Sequence, residues 1–263
     1  MNITTIKTTT QTMGLLAGLA LFAGAAHATV TPVAYYHLGE ADVPVGVVAG
    51  AGNATTVDSV GGFNLSKNGS PTYATGLVTP LGMSVTAGND YSNGAVATSA
   101  TDNFGIEAFI NLNSTAVGVP IYNGNGASSG FGLLTYDLGG GPQYYGLYGG
   151  LSFVPTGVAI TTGQTVHLAL VKSSGLTTMY VNGVATGTIN APGLGPNAAV
   201  GNITIGGGLD GRVDEARIFT FGAGQFTPND LLVFQFVPEP STMTLMGLGL
   251  ATMFAAYKRR KQI

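Results

Sequence analysis

From about Thr29 to Phe236, alternation of apolar and other residues with period two is frequent, and no stretch of useful length keeps the spacing of a helix. Phe104, Ile106, Ala108 and Ile110 alternate with Gly105, Glu107, Phe109 and Asn111, giving a strand with one apolar face and one mixed face. Val166, Leu168 and Leu170 alternate with His167, Ala169 and Val171, which predicts a strand buried on nearly both sides. Thr177–Val181 and Val184–Thr186 flank Asn182-Gly183, a pair that tolerates φ > 0 at both positions, as a two-residue type I′ hairpin requires. Further strands are expected near Val33–Leu38, Gly62–Ser66, Val117–Tyr122, Gly130–Tyr136, Tyr144–Leu147, Asn202–Ile205 and Gly211–Phe219. No fixed-period repeat is present. The pattern predicts an all-β sandwich.

Composition agrees. Glycine supplies 42 of 263 residues and charged residues only 8%, while 45% are hydrophobic. Such a chain is too apolar to stay disordered and suits short strands joined by glycine-rich turns. Between leader and tail the basic residues are Lys67, Lys172, Arg212 and Arg217, too few for a phosphate-binding face, so a nucleic-acid partner is not expected. The absence of cysteine excludes disulfides, a thiolate nucleophile and thiolate metal ligands.

Both ends carry export features. Met1–Ala28 has Lys7 in its first segment, the apolar and small-residue run Met13–Ala25, and Ala26-His27-Ala28 in the A-x-A cleavage pattern. It reads as a signal peptide, so Sec-type export machinery and signal peptidase are expected partners. At the other end Val237, Pro238, Glu239, Pro240 and Ser241 precede the apolar segment Ser241–Tyr257 and then Lys258, Arg259, Arg260 and Lys261. At about 1.5 Å per residue the segment reaches about 25 Å, enough to cross a thin hydrocarbon core as a single helix. The basic cluster resists translocation, and the two prolines keep the preceding peptide extended. Motif, apolar segment and basic stop together resemble the PEP-CTERM sorting signal over Val237–Ile263. That resemblance implies processing by an exosortase and residence at the surface or in an exopolysaccharide-rich biofilm matrix.

The region 29–236 resembles a second family. Ala34-Tyr35-Tyr36-His37-Leu38-Gly39-Glu40, Phe104-Gly105-Ile106-Glu107-Ala108-Phe109-Ile110, Val166-His167-Leu168-Ala169-Leu170-Val171, Met179-Tyr180-Val181-Asn182-Gly183-Val184 and Gly211-Arg212-Val213-Asp214-Glu215-Ala216-Arg217-Ile218-Phe219 occur in the order of a laminin G-like, concanavalin A-like jelly roll. The resemblance implies a two-sheet jelly roll that frequently carries one Ca²⁺. Asp58, Asp210 and Asp214 are the candidate ligands, with solvated turn aspartates as the other reading.

Some such folds hydrolyse glycans, using two carboxyls about 5 Å apart. Here Asp214 and Glu215 are adjacent and, on a regular strand, face opposite ways. Glu40 and Asp42 alternate but lead into a loop, and no Glu-x-Asp-x-x-Glu run exists. The chain is therefore expected not to be an enzyme. Glu215 and Arg217 share a strand face and are expected to pair, and His167 is expected to be a satisfied core or rim histidine. Tyr136, Tyr144, Tyr145 and Tyr148 lie among glycines, where they form either a sugar-stacking loop or strand aromatics packed on the sandwich. The expectation is an exported surface or matrix protein whose domain binds glycan or protein. A purely structural matrix component and, far behind, a divergent glycan hydrolase are the alternatives.

Overall fold

The computed structural model describes residues 30–44, 46–47, 49–93, 102–126, 129–148, 152–190 and 201–236. The expected leader (1–28) and sorting tail (237–263), with its motif and basic stop, lie outside the described residues. Among the described residues, seventeen strands follow in chain order: β1 (Thr31–Tyr36), β2 (Gly50–Ala51), β3 (Thr55–Thr56), β4 (Leu65–Asn68), β5 (Thr72–Thr75), β6 (Leu81–Val85), β7 (Asp90–Asn93), β8 (Phe104–Leu112), β9 (Gly118–Gly124), β10 (Phe131–Tyr136), β11 (Gln143–Tyr148), β12 (Ser152–Ala159), β13 (Thr165–Ser173), β14 (Leu176–Val181), β15 (Val184–Asn190), β16 (Asn202–Gly207) and β17 (Gly211–Thr220). A 3₁₀ turn (Pro228–Asp230) and one helical turn, α1 (Leu232–Gln235), close the described chain.

The strands form two antiparallel sheets, a jelly-roll sandwich. One runs β15-β14-β13-β8-β17-β6-β5-β2, with β1 also on β17; the other runs β12-β11-β10-β9-β16-β7-β4-β3. Facing side chains fill the space between them, among them Phe104, Ile106 and Leu170 from the first sheet and Phe131, Leu133 and Ile205 from the second. The expected hairpin is present, with Asn182 at φ 51° and Gly183 at φ 78°.

The mixed face of β8 is not open to water, contrary to the alternation. All of β8 is buried. After β17 the chain turns back along the outer face of the nine-stranded sheet as a strap, Phe221–Phe236. Its Phe221 and Leu231 form a second apolar cluster with Ala169, Val171 and Phe219. Beneath the strap, Glu107 accepts hydrogen bonds from Arg217 Nε at 2.6 Å and from the Leu232 amide at 3.0 Å, and its Oε2 lies 2.8 Å from His167 Nε2. Arg217 also donates to the Asp230 carbonyl at 2.8 Å. Burial pushes the Glu107 carboxyl up, but the guanidinium, His167 and the Leu232 amide together hold it below its ordinary value. His167 is thus a core histidine bonded through Nε2, but its Nδ1 is buried without a hydrogen-bond partner, so the expected satisfied histidine is met at one ring nitrogen and not at the other. The expected Glu215–Arg217 pair is replaced by Glu107–Arg217.

Candidate functional site

β17 changes partner along one edge. Its first residues, Gly211–Val213, pair with β6, while Ala216–Thr220 pair with β1. The handover requires a bulge, and the register against β8 slips between Asp214 and Arg217. Glu215 takes up the extra residue at φ 50°, a backbone region that non-glycine residues seldom occupy. Alternation therefore fails here. Asp214 and Glu215, expected on opposite faces, converge, and the loop after β1 brings Glu40 to them. Each of the three offers a carboxylate oxygen within 4.8 Å of the others.

The two buried carboxylates are held from different directions. Asp214 Oδ2 accepts from the amides of Leu77 and Val78 at 2.7 and 3.0 Å, and Oδ1 accepts from Thr79 Oγ1 at 2.9 Å. Glu215 accepts from the Tyr35 hydroxyl and lies 3.0 Å from His37 Nδ1. Glu40 Oε1 accepts from the Leu81 amide, whereas Glu40 Oε2 is buried without a hydrogen-bond partner. Burial raises the Asp214 carboxyl to about 6; the Val78 and Leu77 amides and Thr79 hydroxyl oppose this, and the Glu215 charge adds to it. The hydrogen bond to Glu215 raises the His37 imidazole against the effect of burial, with the Glu215, Glu40 and Asp214 charges adding to the rise. At an effective dielectric of 20, two unit charges this far apart repel by on the order of 3 kcal/mol. Three carboxylates beside one imidazole thus leave surplus negative charge. A donor set of carboxylates with one unpartnered oxygen suits a hard, oxygen-seeking cation such as Ca²⁺.

Of the ligands expected from sequence, Asp214 belongs to this cluster and the other two do not. Asp58 accepts from the amides of Tyr35, Val60, Gly61 and Phe63, so it organises its own loop. Asp210 bonds Asn113 at 3.0 Å in a turn at the far end of β17. Glu40 and Glu215 were not among the expected ligands, because a bulge on a non-glycine residue leaves no mark in the sequence.

The four tyrosines also divide, and they do not form a loop. Tyr144 and Tyr148 point into the core from β11. Tyr145 and Tyr136 lie on the outer face of the eight-stranded sheet, where both rings meet Phe153, at centroid distances of 5.9 and 5.4 Å. Tyr145 is buried there and Tyr136 half-buried. Strand register places Ser66, Ser92, Thr204, Tyr122, Gly132, Leu147 and Phe153 in one row across the same face. The Tyr122 ring covers Gly132, where a Cβ would come within 2.4 Å of it. Hydroxyls thus occupy one half of the row, and aromatic and apolar groups the other.

Comparison with known proteins accords with this architecture. Residues 236–261 match the PEP-CTERM protein-sorting motif. Among solved structures, domain 4 of AbnA, an extracellular arabinanase of family GH43 from Geobacillus stearothermophilus in complex with arabinotriose, superposes with a TM-score of 0.60 at 18% identity. That match covers 80% of this chain and 99% of that one. A GH54 α-L-arabinofuranosidase superposes at 0.54 with 14% identity, covering 70% of this chain and 50% of that one. The binding domain of Paraclostridial Mosquitocidal Protein 1 does so at 0.53 with 13% identity, covering 72% and 51%. At such identities these likenesses speak for the fold alone. No curated protein sequence matches the chain. Residues 85–222, just over half of the chain and most of both sheets, match the family described as concanavalin A-like lectins and glucanases, and the protein belongs to that superfamily.

Proposed function

We propose that this protein is an exosortase-sorted surface or extracellular-matrix component whose jelly roll binds glycan without cleaving it. The observation that carries the sorting half is the C-terminal match to the sorting motif, directly after the folded domain. In this reading the apolar tail segment holds the exported protein in the membrane until an exosortase acts at Val237–Ser241. Among the described residues, no helix is long and apolar enough to cross a membrane.

Support for the binding half is the outer-face row of the eight-stranded sheet, which ends on half-exposed Phe153, with half-exposed Tyr136 against its ring, and carries Ser66, Ser92 and Thr204 at the other end. Aromatic rings beside hydroxyls suit a sugar, which offers apolar C–H faces and polar edges. The carboxylates at the β17 bulge are poorly placed for hydrolysis, since Asp214 and Glu215 are buried and their oxygens are engaged by the protein's own donors. Their role in this reading is structural, with Glu40, Asp214 and Glu215 holding one Ca²⁺ that joins β17 to the loops after β1 and before β6.

A glycan array probed with the wild-type protein and with Tyr136→Ala plus Phe153→Ala tests the binding half. Binding that the double substitution removes supports it. Binding that survives moves the ligand elsewhere, and no binding favours a purely structural matrix role. Release of reducing ends from any polysaccharide would overturn the non-catalytic reading.

A further inference from the structure

The strap ends beside the hairpin at Asn182-Gly183. Phe234 lies against the turn, where a Cβ on Gly183 would come within 2.6 Å of its ring. The Phe236 ring meets Phe109 edge-on at 5.8 Å. This end of the sandwich also carries the β8–β9 turn, the β10–β11 turn and the start of β17, tied together by Asn113 N to Asp210 O and Thr135 Oγ1 to Ala116 O. Eight large apolar side chains are exposed among the described residues, and five belong to this end: Val117, Leu138, Val184, Phe234 and Phe236. Singly they would mean little. Their concentration where the chain leaves the domain requires a cause.

Chain length supplies one. Ser241, where the apolar tail segment begins, is five residues beyond Phe236. Fully extended, that spacer spans at most about 18 Å, and the interfacial layer takes up about 5–8 Å of it. While the tail is embedded, this end of the domain is confined to the immediate neighbourhood of the lipid headgroups. The charged residues of its turns, Asp137 and Asp210, are acidic, and Arg212 at the start of β17 donates to the Thr75 carbonyl at 3.0 Å, so adhesion there comes from apolar insertion and not from attraction to anionic lipid.

We propose that the end bearing Val184, Leu138, Phe234 and Phe236 is a membrane-docking face, seated on the lipid surface in the tail-anchored precursor and released when the tail is removed. The inference rests on the tail being membrane-embedded, as proposed above. Docking orients the sandwich upright, with its C-terminal end facing the bilayer and the processing site within reach of a membrane-embedded enzyme.

The chain has no tryptophan, so single substitutions provide clean reporters. Full-length precursor carrying Val184→Trp, Leu138→Trp or, at the opposite end, Leu176→Trp is reconstituted in phosphatidylcholine vesicles containing dibrominated lipid. The expected result is blue-shifted emission and strong quenching at positions 184 and 138, unchanged by salt, with neither at 176. Precursor that floats with the vesicles but shows equal, unquenched emission at all three positions overturns docking and leaves the anchor intact. A blue shift at 184 without bromine quenching assigns the face to a second protein copy and also overturns it. Precursor that does not float removes the anchor, and the inference falls with it.

Discussion

The outer face of β8 and the bulge of β17 each bury carboxylates, and they balance the charge in opposite ways. Under the strap, Glu107 is enclosed by Arg217, His167 and a main-chain amide. At the bulge, Glu40, Asp214 and Glu215 share one imidazole, and one carboxylate oxygen has no partner. A charge-balanced network fixes one chain segment to another, even though His167 Nδ1 within it is buried without a hydrogen-bond partner. An open one with surplus charge remains receptive to a proton or a metal ion. The contrast separates a staple from a site more clearly than burial, which the two share.

Breaking the staple gives the largest effect. Glu107→Gln leaves Arg217 buried without its counter-charge, and removing one partner of a buried pair costs about 3–5 kcal/mol. Urea unfolding should show a loss of that size, with early proteolysis between Phe221 and Phe236. A loss below about 1 kcal/mol would place the network among weakly contributing surface pairs.

The open cluster should respond to metal where the staple does not. A ligand that binds only the folded state adds about 2.7 kcal/mol at a hundredfold excess over its Kd. Thermal melts in millimolar Ca²⁺ and in EDTA should therefore differ clearly. Glu40→Gln and Glu215→Gln should abolish the difference, whereas Asp58→Ala should lower both midpoints and preserve it. Identical wild-type curves would dispose of the metal reading.

Acidity sharpens the comparison, because the two constellations titrate with opposite sign. The Asp214 carboxyl is raised from 3.8 to about 6, so in EDTA the folded state holds the extra proton between those values. That contribution, on the order of 2–3 kcal/mol, is present below pH 3.8 and is lost as pH rises to about 6. His37, also raised, adds stability below its ordinary value of 6.5 that is lost at higher pH. Glu107 is lowered, so its contribution is present above 4.5 and is lost as pH falls through its folded value. Asp214→Asn in EDTA should flatten the decline between pH 4 and 6 and leave the acid limb due to Glu107. Unchanged curves would contradict the assignment.

The smallest effect is expected at the hairpin. Gly183→Ala places a methyl against the Phe234 ring at φ 78°, which should cost about 1 kcal/mol. It should loosen the end of the strap and leave any calcium response of the bulge unaltered.

Much of this was legible in the sequence. β8, β13 and the β14–β15 hairpin follow from alternation and from Asn182-Gly183, because in those segments burial on a sheet dictates the residue pattern. Thr72–Thr75 and Asp90–Asn93 escaped notice as strands because short, polar stretches near a sheet's margin bury too little to impose a pattern. Ser152–Ala159, broken by Pro155 and Gly157, escaped for the same lack of a signal. At the site, alternation holds for a regular strand and fails where β17 changes partner. What decides the position of Glu215 there is a pairing between segments far apart in the chain. Tyr136 and Tyr148 lie close together in the sequence, yet opposite faces of adjacent strands separate them.

The strap has a mechanical consequence for a tethered protein. It runs back along the sheet, so tension from a C-terminal anchor pulls it away from Phe236 towards Phe221, one contact after another. Peeling requires less force than shearing all of its contacts together. The Glu107–Arg217 junction lies partway along and would arrest the peel until it gave way. Once it yields, the rest of the strap follows, and about 15 residues in all join the tether, lengthening it by about 50 Å while both sheets stay intact. The anchored domain thus carries its own reserve of slack, held in check by one buried carboxylate.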